Sequence, residues 1–240
     1  LIAEVEKNQV RRVHFEMETT RIGAGTAAVR ELGEEGMART LKALSRFRSV
    51  MMERGVEKVR AVATSAVRET VNGQEFARRA AEVLGFPLEI ISGEEEAYLG
   101  YLGAARGLPQ VKRPLVLDIG GGSSELIWME GQEVKAYSLP VGAVGLTEDP
   151  GRIQTVEDWD WLFRKLAWMP ELTLVGVGGT TTTLAAVELK MEQYDPDRVQ
   201  GYEMAIESVE RIFDCLASLS LEERRRVKGL QPERADIITA

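Results

Sequence analysis

The sequence predicts an α/β fold with a mixed sheet in each half of the chain. Short apolar segments alternate with longer segments whose apolar residues recur at helical spacing. Two glycine-rich stretches each follow a predicted strand, LVLDIGGGSSELI at 115–127 and LTLVGVGGTTTTLAAVELK at 172–190. The halves also resemble each other, because LIAEVEKNQV from Leu1 and LIWMEGQEV from Leu126 both read as a strand, a polar turn and a second strand.

The first half is predicted to contain four strands and three helices. The strands are predicted at 1–7, 10–22, 58–66 and 87–92, and the helices at 34–54, 73–84 and 93–106. The helix at 34–54 carries leucine and methionine at helical spacing and ends before Gly55. The turn-rich RGLPQVKRP that follows the third helix predicts a boundary between domains at 1–113 and 114–240.

The second half repeats the alternation. Strands are predicted at 115–119, 124–130, 133–140 and 172–177, with helices at 155–168 and 180–193 and a helical end at PERADIITA. If the halves arose by duplication, a loop like DIGGGSS should precede Leu1. We therefore expect residues before Leu1 that this sequence does not include. The helical pattern that reaches Ala240 and the stretch LTEDPGRIQT lead us to expect further residues after Ala240 and near Glu148.

Composition and charge exclude several classes of function. The chain has 240 residues with ordinary globular composition, and no apolar run approaches the roughly 20 residues that a membrane-spanning helix needs. His14 is the only histidine, which argues against a histidine-based triad or a multi-histidine metal site. Cys215 is the only cysteine, which favours a reducing cytoplasm and predicts a small core residue. The net charge of −8 argues against nucleic-acid binding.

The first glycine-rich stretch predicts an anion-binding hairpin. A phosphate loop of the Walker type needs a lysine and a following helix, and here no lysine follows and the next segment is a strand. Glycines at a hairpin tip let backbone N–H groups converge on an anion such as phosphate. Asp118 and Glu125 flank the tip, and carboxylates beside a phosphate suggest bridging by Mg²⁺ or positioning of water. A tight hairpin would need only one or two glycines.

The second glycine-rich stretch leads from a strand into a helix. The start of a helix offers unpaired N–H groups and a partial positive charge, which suit a phosphate. Capping by a single threonine is the simpler alternative. Four threonines after Gly178 and Gly179 exceed what capping requires, so anion binding is favoured.

Between these stretches, IISGEEEAYLGYLG places three glutamates at the start of a helix. Ser92 and Glu95 have the spacing of a capping box, and acids in a first helical turn also complement the helix dipole. Successive helical residues point about 100° apart, so at most one of the three glutamates faces a given site. The residues alone do not decide which one. Arg68, after the predicted strand at 58–66, could hold phosphate oxygens.

Taken in order, VRAVATSAVRE, EIISGEEEAYLGYLG, LVLDIGGGSSELI and VGVGGTTTTLAA resemble the exopolyphosphatase and guanosine pentaphosphate phosphohydrolase (Ppx/GppA) family over the whole chain. The resemblance implies two actin-like (ribonuclease H-like) domains related by duplication, with mixed sheets flanked by helices and a cleft between them. It implies Glu96 as the general base, and Asp118 and Glu125 as ligands of Mg²⁺ or another divalent cation. The phosphate-binding residues that it implies are Arg68, Gly120, Gly121, Gly122, Ser123, Gly178, Gly179 and Thr180.

The resemblance implies release of terminal phosphate from inorganic polyphosphate, guanosine pentaphosphate or both. Such a reaction needs a positioned water and neutralised charge but no covalent nucleophile. A sensor that binds polyphosphate or guanosine tetra- or pentaphosphate with little turnover would use the same loops. A kinase of the same superfamily fits less well, because SGEEEA is not a kinase motif. A homodimer is kept as a candidate assembly.

Overall fold

The computed structural model describes residues 1–7, 9–139, 141–151, 164 and 171–239. The chain divides into two compact units, Leu1–Gly93 and Glu94–Ala240. The alternation of strands and helices that the sequence predicts is present in both units, so the α/β class is confirmed. Among the described residues, none of the helices is both long enough and apolar enough to cross a membrane.

Unit 1 contains four strands and four complete helices among the described residues. The strands are β1 (Ile2–Glu6), β2 (Gln9–His14), β3 (Ala61–Ala63) and β4 (Leu88–Ile90). The helices are α1 (Thr26–Val29), α2 (Glu34–Glu53), α3 (Ser65–Arg68) and α4 (Gly73–Leu84). Strands β1 and β2 form an antiparallel hairpin, and β3 pairs with β4 in parallel. The core joins Leu32 and Met37 to Val67, Phe76 and Ala80.

Two strand predictions for unit 1 were too long. The predicted strand at 10–22 ends at His14, where the ladder ends because its partner strand β1 begins at Ile2. The predicted strand at 58–66 is only three residues long, and Ser65 already starts a one-turn helix. Arg68 therefore closes a short helix and does not lie at a strand end. The predictions for α2, α4 and β4 agree with the structure to within two residues.

Unit 2 is built on a mixed four-stranded sheet. Its strands are β5 (Pro114–Ile119), β6 (Ser124–Glu130), β7 (Glu133–Leu139) and β8 (Thr173–Val177). Their order across the sheet is β7-β6-β5-β8, with β5 antiparallel to β6 and parallel to β8. The described helices are α5 (Gly93–Gly107), α6 (Ala143–Glu148), α7 (Gly178–Glu188), α8 (Pro196–Val199), α9 (Ile206–Ser218), α10 (Leu221–Arg224) and the 3₁₀ turn Pro232–Arg234.

Helix α5 packs on the sheet of unit 2. Its buried residues Ala97, Tyr101 and Ala104 contact Val116 of β5 and, on the neighbouring strands, Ile127 and Val175. The apolar stripe of α5 is therefore covered by this sheet. The compact units accordingly divide at Gly93, whereas the turn-rich sequence after α5 predicts the boundary at 113.

The bounds of two helices in the second half differ from those that the sequence predicts. Helix α7 begins at Gly178, two residues before the predicted start, so that Gly178, Gly179 and Thr180 all lie in its first turn. PERADIITA was expected to be helical, but only Pro232–Arg234 forms a 3₁₀ turn and further turns follow. The predicted helix at 155–168 lies outside the described residues apart from residue 164.

Cys215 was predicted to be a core residue, and this is wrong. The cysteine is exposed on α9, while Ile212 and Leu216 of the same helix are buried. Successive residues of a helix point about 100° apart, so a residue next to a buried leucine can lie outside the packed face.

Candidate active site

Asp118 and Glu125 lie directly opposite each other at the end of the β5–β6 hairpin. They form a cross-strand pair, and directly opposed residues in an antiparallel pair share one face of the sheet. Glu125 is also opposite Ser138 of β7, whose hydroxyl donates to Glu125 Oε1 at 2.9 Å. The predicted pair of carboxylates is thus held by the regular register of three strands.

Glu96 lies on the side of α5 that faces this pair. The next residue, Ala97, is buried against the sheet, and Gly100, one turn further, approaches Ile127 of β6. Asp118 and Glu125 each lie two residues from a strand residue beneath α5, namely Val116 and Ile127, and so project from the same face. Glu94, two residues earlier in the first turn, is exposed. Helix packing therefore distinguishes Glu96, whose charge acts on Asp118, from the exposed Glu94, although the sequence alone leaves them equivalent.

The three carboxylates interact electrostatically. Burial is the main cause that raises the pKa of Asp118 from its ordinary value of 3.8 to about 6, and the negative charges of Glu125 and Glu96 contribute to this rise. A carboxylate in such a position is destabilised in its charged form. A perturbed pKa of this kind is typical of functional sites and of sites that bind cations.

The chemistry of Asp118 and Glu125 fits a divalent cation. Among the described residues, no group of three histidine, cysteine or acidic side chains is arranged to hold a metal by itself. Mg²⁺ commonly takes one or two protein carboxylates and completes its shell with water and substrate phosphates. Asp118 and Glu125 are two neighbouring carboxylates, and the charge of Glu125 contributes to the raised pKa of Asp118. They could therefore serve as the protein ligands of such an ion.

The first glycine-rich loop exposes N–H groups. Gly120 N–H donates to the carbonyl of Ser123 at 2.9 Å, which closes the turn. The N–H groups of Gly121, Gly122 and Ser123 have no acceptor among the described residues. Three consecutive N–H groups on a turn can converge on an anion. Ser124, the next residue, is buried and donates to the carbonyl of Val141 at 2.6 Å, so its hydroxyl has a structural role.

The second glycine-rich loop is the first turn of α7. The first N–H groups of a helix have no partner within the helix and carry its positive partial charge. The hydroxyls of Thr181, Thr182 and Thr183 donate back to backbone carbonyls of the preceding turn at 2.6–2.9 Å. Thr180 makes no such bond within the described part of the chain. Of the four threonines, Thr180 is thus the one whose hydroxyl is available to a ligand.

The two glycine-rich loops meet at Asp118 and Gly178. Strands β5 and β8 are parallel neighbours, with Asp118 opposite Val177, so both loops leave the sheet at the same edge. A Cβ atom on Gly178 would lie 2.6 Å from Asp118 Oδ1. The structure therefore brings together Glu96, Asp118, Glu125 and the starts of both loops within unit 2.

Arg234 is a further residue at this site that the sequence reasoning did not select. Its guanidinium lies against Gly179, so closely that a side chain on this glycine would overlap it. The next residue, Ala235, is fully buried with Leu216 in the C-terminal core, which holds Arg234 beside the start of α7. No local sequence pattern marks Arg234, because its place beside Gly179 depends on the packing of Ala235 against residues elsewhere in the chain.

Arg68 is in unit 1. Its guanidinium donates to the carbonyl of Ile91 at 3.0 Å and lies 3.7 Å from Glu69 Oε1. Its Nη2 also approaches Gly93, immediately before the glutamates of α5. Arg68 thus lies in a different compact unit from the carboxylates Glu96, Asp118 and Glu125.

A cavity of about 240 Å³ in unit 1 contains none of the predicted site residues. It is lined by the apolar face of α2, by the ends of β1 and β2 and by residues before β3. His14 and Glu16 border it. The cavity is therefore separate from the cluster of carboxylates.

The whole chain, residues 1–240, matches the Ppx/GppA phosphatase family. The chain belongs to this family. The expectation of a phosphate-releasing hydrolase is thereby confirmed at the level of the family. Exopolyphosphatase 2 of Mycobacterium tuberculosis is 34% identical over 261 residues, an alignment that covers 99% of this chain and 82% of the relative. A bifunctional 3-dehydroquinate synthase/phosphatase of Fusobacterium nucleatum is 29% identical and matches over 39% of its length.

Solved structures of the family share the fold. The Ppx/GppA family member of Aquifex aeolicus has a TM-score of 0.76 at 30% identity, covering 99% of this chain and 81% of that chain. An exopolyphosphatase from Cytophaga hutchinsonii has a TM-score of 0.84 at 25% identity, covering 99% of this chain and 81% of that chain. The mixed α/β fold of this family is therefore the fold of this chain.

Proposed function

We propose that this Ppx/GppA family member hydrolyses the terminal phosphoanhydride of inorganic polyphosphate. The observation that carries the proposal is the cluster of Glu96, Asp118 and Glu125 beside two loops with available N–H groups. The sequence similarity to an exopolyphosphatase over nearly the whole chain supports polyphosphate as the substrate.

Glu96 is the proposed general base. It accepts a proton from a water molecule whose oxygen attacks the terminal phosphorus, while the bond from that phosphorus to the bridging oxygen breaks. The products are inorganic phosphate and a polyphosphate shorter by one unit, and the proton on Glu96 returns to solvent. Positioning and charge stabilisation suffice for this reaction, because the transition state needs no covalent intermediate.

Asp118 and Glu125 are the proposed ligands of Mg²⁺. The bound cation would neutralise the negative charge of the phosphates and of the carboxylates themselves. The raised pKa of Asp118 supports this role, since a cation would favour the charged form that burial and repulsion disfavour. Glu125 is oriented by the hydrogen bond from Ser138.

The remaining polar groups are proposed to bind the phosphate chain. The N–H groups of Gly121, Gly122 and Ser123 form one anion site on the turn that Gly120 closes. Gly178, Gly179 and the Thr180 hydroxyl form the other, with the Arg234 guanidinium beside it. Arg68 is proposed to contact further phosphates. Charge-assisted hydrogen bonds from arginine are among the stronger interactions available to phosphate.

The decisive experiment measures phosphate release with Mg²⁺ from long-chain polyphosphate and, in parallel, from guanosine pentaphosphate. Release from polyphosphate at many turnovers per second supports the proposal. A clear preference for guanosine pentaphosphate would show that this nucleotide, and not polyphosphate, is the substrate. Binding of either compound without release would contradict hydrolysis and support the sensor alternative.

Several finer expectations belong with this proposal. Duplicated actin-like domains with a cleft between them would let a long anion lie across both units. A homodimer and a cytoplasmic location stay predictions of the sequence. Sedimentation of the purified protein tests the first, and cell fractionation tests the second.

A further inference from the structure

The short helix α6 contacts the first glycine-rich loop through its backbone. The N–H of Ala143 donates to the carbonyl of Gly120 at 3.0 Å, and the N–H groups of Val144 and Gly145 donate to the carbonyl of Gly121 at 2.8 and 2.9 Å. The first N–H groups of a helix normally lack a partner, and here loop carbonyls satisfy three of them. Helix α6 is therefore docked on the loop by three hydrogen bonds.

These bonds set the direction of the loop N–H groups. In a trans peptide, the carbonyl of one residue and the N–H of the next point to opposite sides. Because the carbonyls of Gly120 and Gly121 point at α6, the N–H groups of Gly121 and Gly122 point away from it. On the side that points away from α6, a carbonyl oxygen would repel an anion, whereas an N–H group attracts one.

Gly142 allows this docking. Its backbone is extended, at φ −135° and ψ 164°, so conformation does not require glycine there. The lack of space does require glycine, because a Cβ atom at this position would lie 2.5 Å from Ser123 N and 2.6 Å from Gly121 C and O. These are backbone atoms, which cannot move aside as the end of a side chain can. A residue larger than glycine would have to separate α6 from the loop.

We propose that Gly142 and the first turn of α6 position the glycine-rich loop for anion binding. They hold the carbonyls of Gly120 and Gly121 away from the anion, so that the N–H groups of Gly121 and Gly122 are presented to it. The proposal rests on the proposed function for the identity of the anion, a phosphate of the substrate. It assigns Gly142 and Ala143 as positioning residues, since neither needs to touch the substrate.

Two substitutions test it. Ala143→Pro removes the N–H that donates to Gly120, at the first helical position, where proline is tolerated and where the preceding residue is already extended. Gly142→Ala introduces the overlap with the loop. The full chain is titrated by calorimetry with imidodiphosphate, whose P–N–P bridge resists hydrolysis, in the presence of Mg²⁺. Both variants are expected to bind it at least five-fold more weakly, because loop N–H groups that turn away would lose their charge-assisted hydrogen bonds to the anion.

Two controls separate positioning from general loss of stability. Gly103→Ala makes the same chemical change at an exposed site of α5 with open space around it, and should leave binding unchanged. Val134→Ala removes core packing in β7 near the opposite end of the β6–β7 hairpin, and should lower the melting temperature without changing affinity. In turnover assays the loop variants should raise KM at least five-fold, whereas Val134→Ala should not. Folded loop variants that bind imidodiphosphate like the wild type would overturn the proposal.

Amide NMR of the wild-type chain keeps the test independent of whether the variants fold. Addition of imidodiphosphate should shift the Gly121 and Gly122 amide resonances and leave those of Ala143, Val144 and Gly145 protected from exchange. Unshifted loop amides, or loss of protection in α6, would contradict the proposed geometry. A wild-type protein that binds imidodiphosphate in this way but releases no phosphate from polyphosphate would contradict the proposed function and leave the positioning intact.

Discussion

Asp118 occupies the space that a side chain on Gly178 would need. Asp118 lies near the end of β5, just before the first glycine-rich loop, and Gly178 begins α7, 60 residues later in the chain. A Cβ atom on Gly178 would lie 2.6 Å from Asp118 Oδ1. Gly178 also has φ +80°, in the left-handed region that favours glycine. The parallel pairing of β5 and β8 thus brings the proposed metal ligand and the proposed second phosphate loop into contact.

Gly178→Ala should destabilise the protein and reduce activity. The left-handed backbone costs a non-glycine residue about 1 kcal/mol, and displacement of Asp118 adds to that cost. Gly131→Ala, in the β6–β7 turn, is the matched control, since it has φ +65° and nothing within 4 Å. Chemical denaturation and phosphate release are measured for both. Equal effects of the two substitutions on stability and on turnover would contradict the importance of the Asp118 contact.

Glu96→Gln should lower kcat for phosphate release at least 100-fold, while KM changes little. An amide cannot accept the proton from water, and a general base contributes typically about 10²–10⁴-fold to the rate. Glu94→Gln is the matched control, because Glu94 lies in the same helical turn and is exposed. Near-wild-type turnover by Glu96→Gln, or an equal loss in Glu94→Gln, would show that another group activates the water.

Asp118→Asn should stabilise the metal-free protein at neutral pH. The pKa of Asp118 is raised in the folded state to about 6, so between about pH 4 and 6 the folded state holds a proton that the unfolded state has lost. Stability from this group is therefore complete below pH 4 and is lost as the pH rises through 6. The asparagine variant should be more stable by about 3 kcal/mol at pH 7.5, with the difference vanishing near pH 4.

Denaturation in EDTA across this pH range measures that effect. Addition of Mg²⁺ should stabilise the wild type at pH 7.5 and stabilise Asp118→Asn much less, because binding of a ligand to the folded state alone raises its stability. A difference between wild type and variant that does not depend on pH would show that Asp118 titrates normally. Equal stabilisation of both proteins by Mg²⁺ would exclude Asp118 as a ligand.

Arg234→Ala should raise KM for polyphosphate about ten-fold or more, with a smaller effect on kcat. The guanidinium lies at the start of α7 and would supply charge-assisted hydrogen bonds to a phosphate there. Arg225→Ala, at an exposed residue that pairs with Glu222, is the control for loss of one positive charge nearby in sequence. If KM rises equally in both variants, the effect of Arg234 is only one of net charge.

Much of the fold could be predicted from periodicity and glycine placement. The hairpin after Leu115, the strand at 172–177 and the helices α2, α4 and α5 depend on local patterns of apolar residues and turns, and these predictions agree with the structure. The overlong strand at 10–22 could not be corrected from the sequence. Its apolar pattern continues past His14, but a strand ends where its partner ends, and the partner is set by the ladder with β1.

The sequence by itself determined the α/β class, the two glycine-rich loops and the residues from which a phosphate site could be built, because glycines, carboxylates and strand patterns are local signals. Tertiary structure decided which of these meet. Packing of Ala97 and Tyr101 on the sheet turned Glu96 toward Asp118, and burial of Ala235 held Arg234 against Gly179. It also exposed Cys215 and directed the loop N–H groups through α6. Each of these depends on contacts between residues far apart in the chain, which no local pattern encodes.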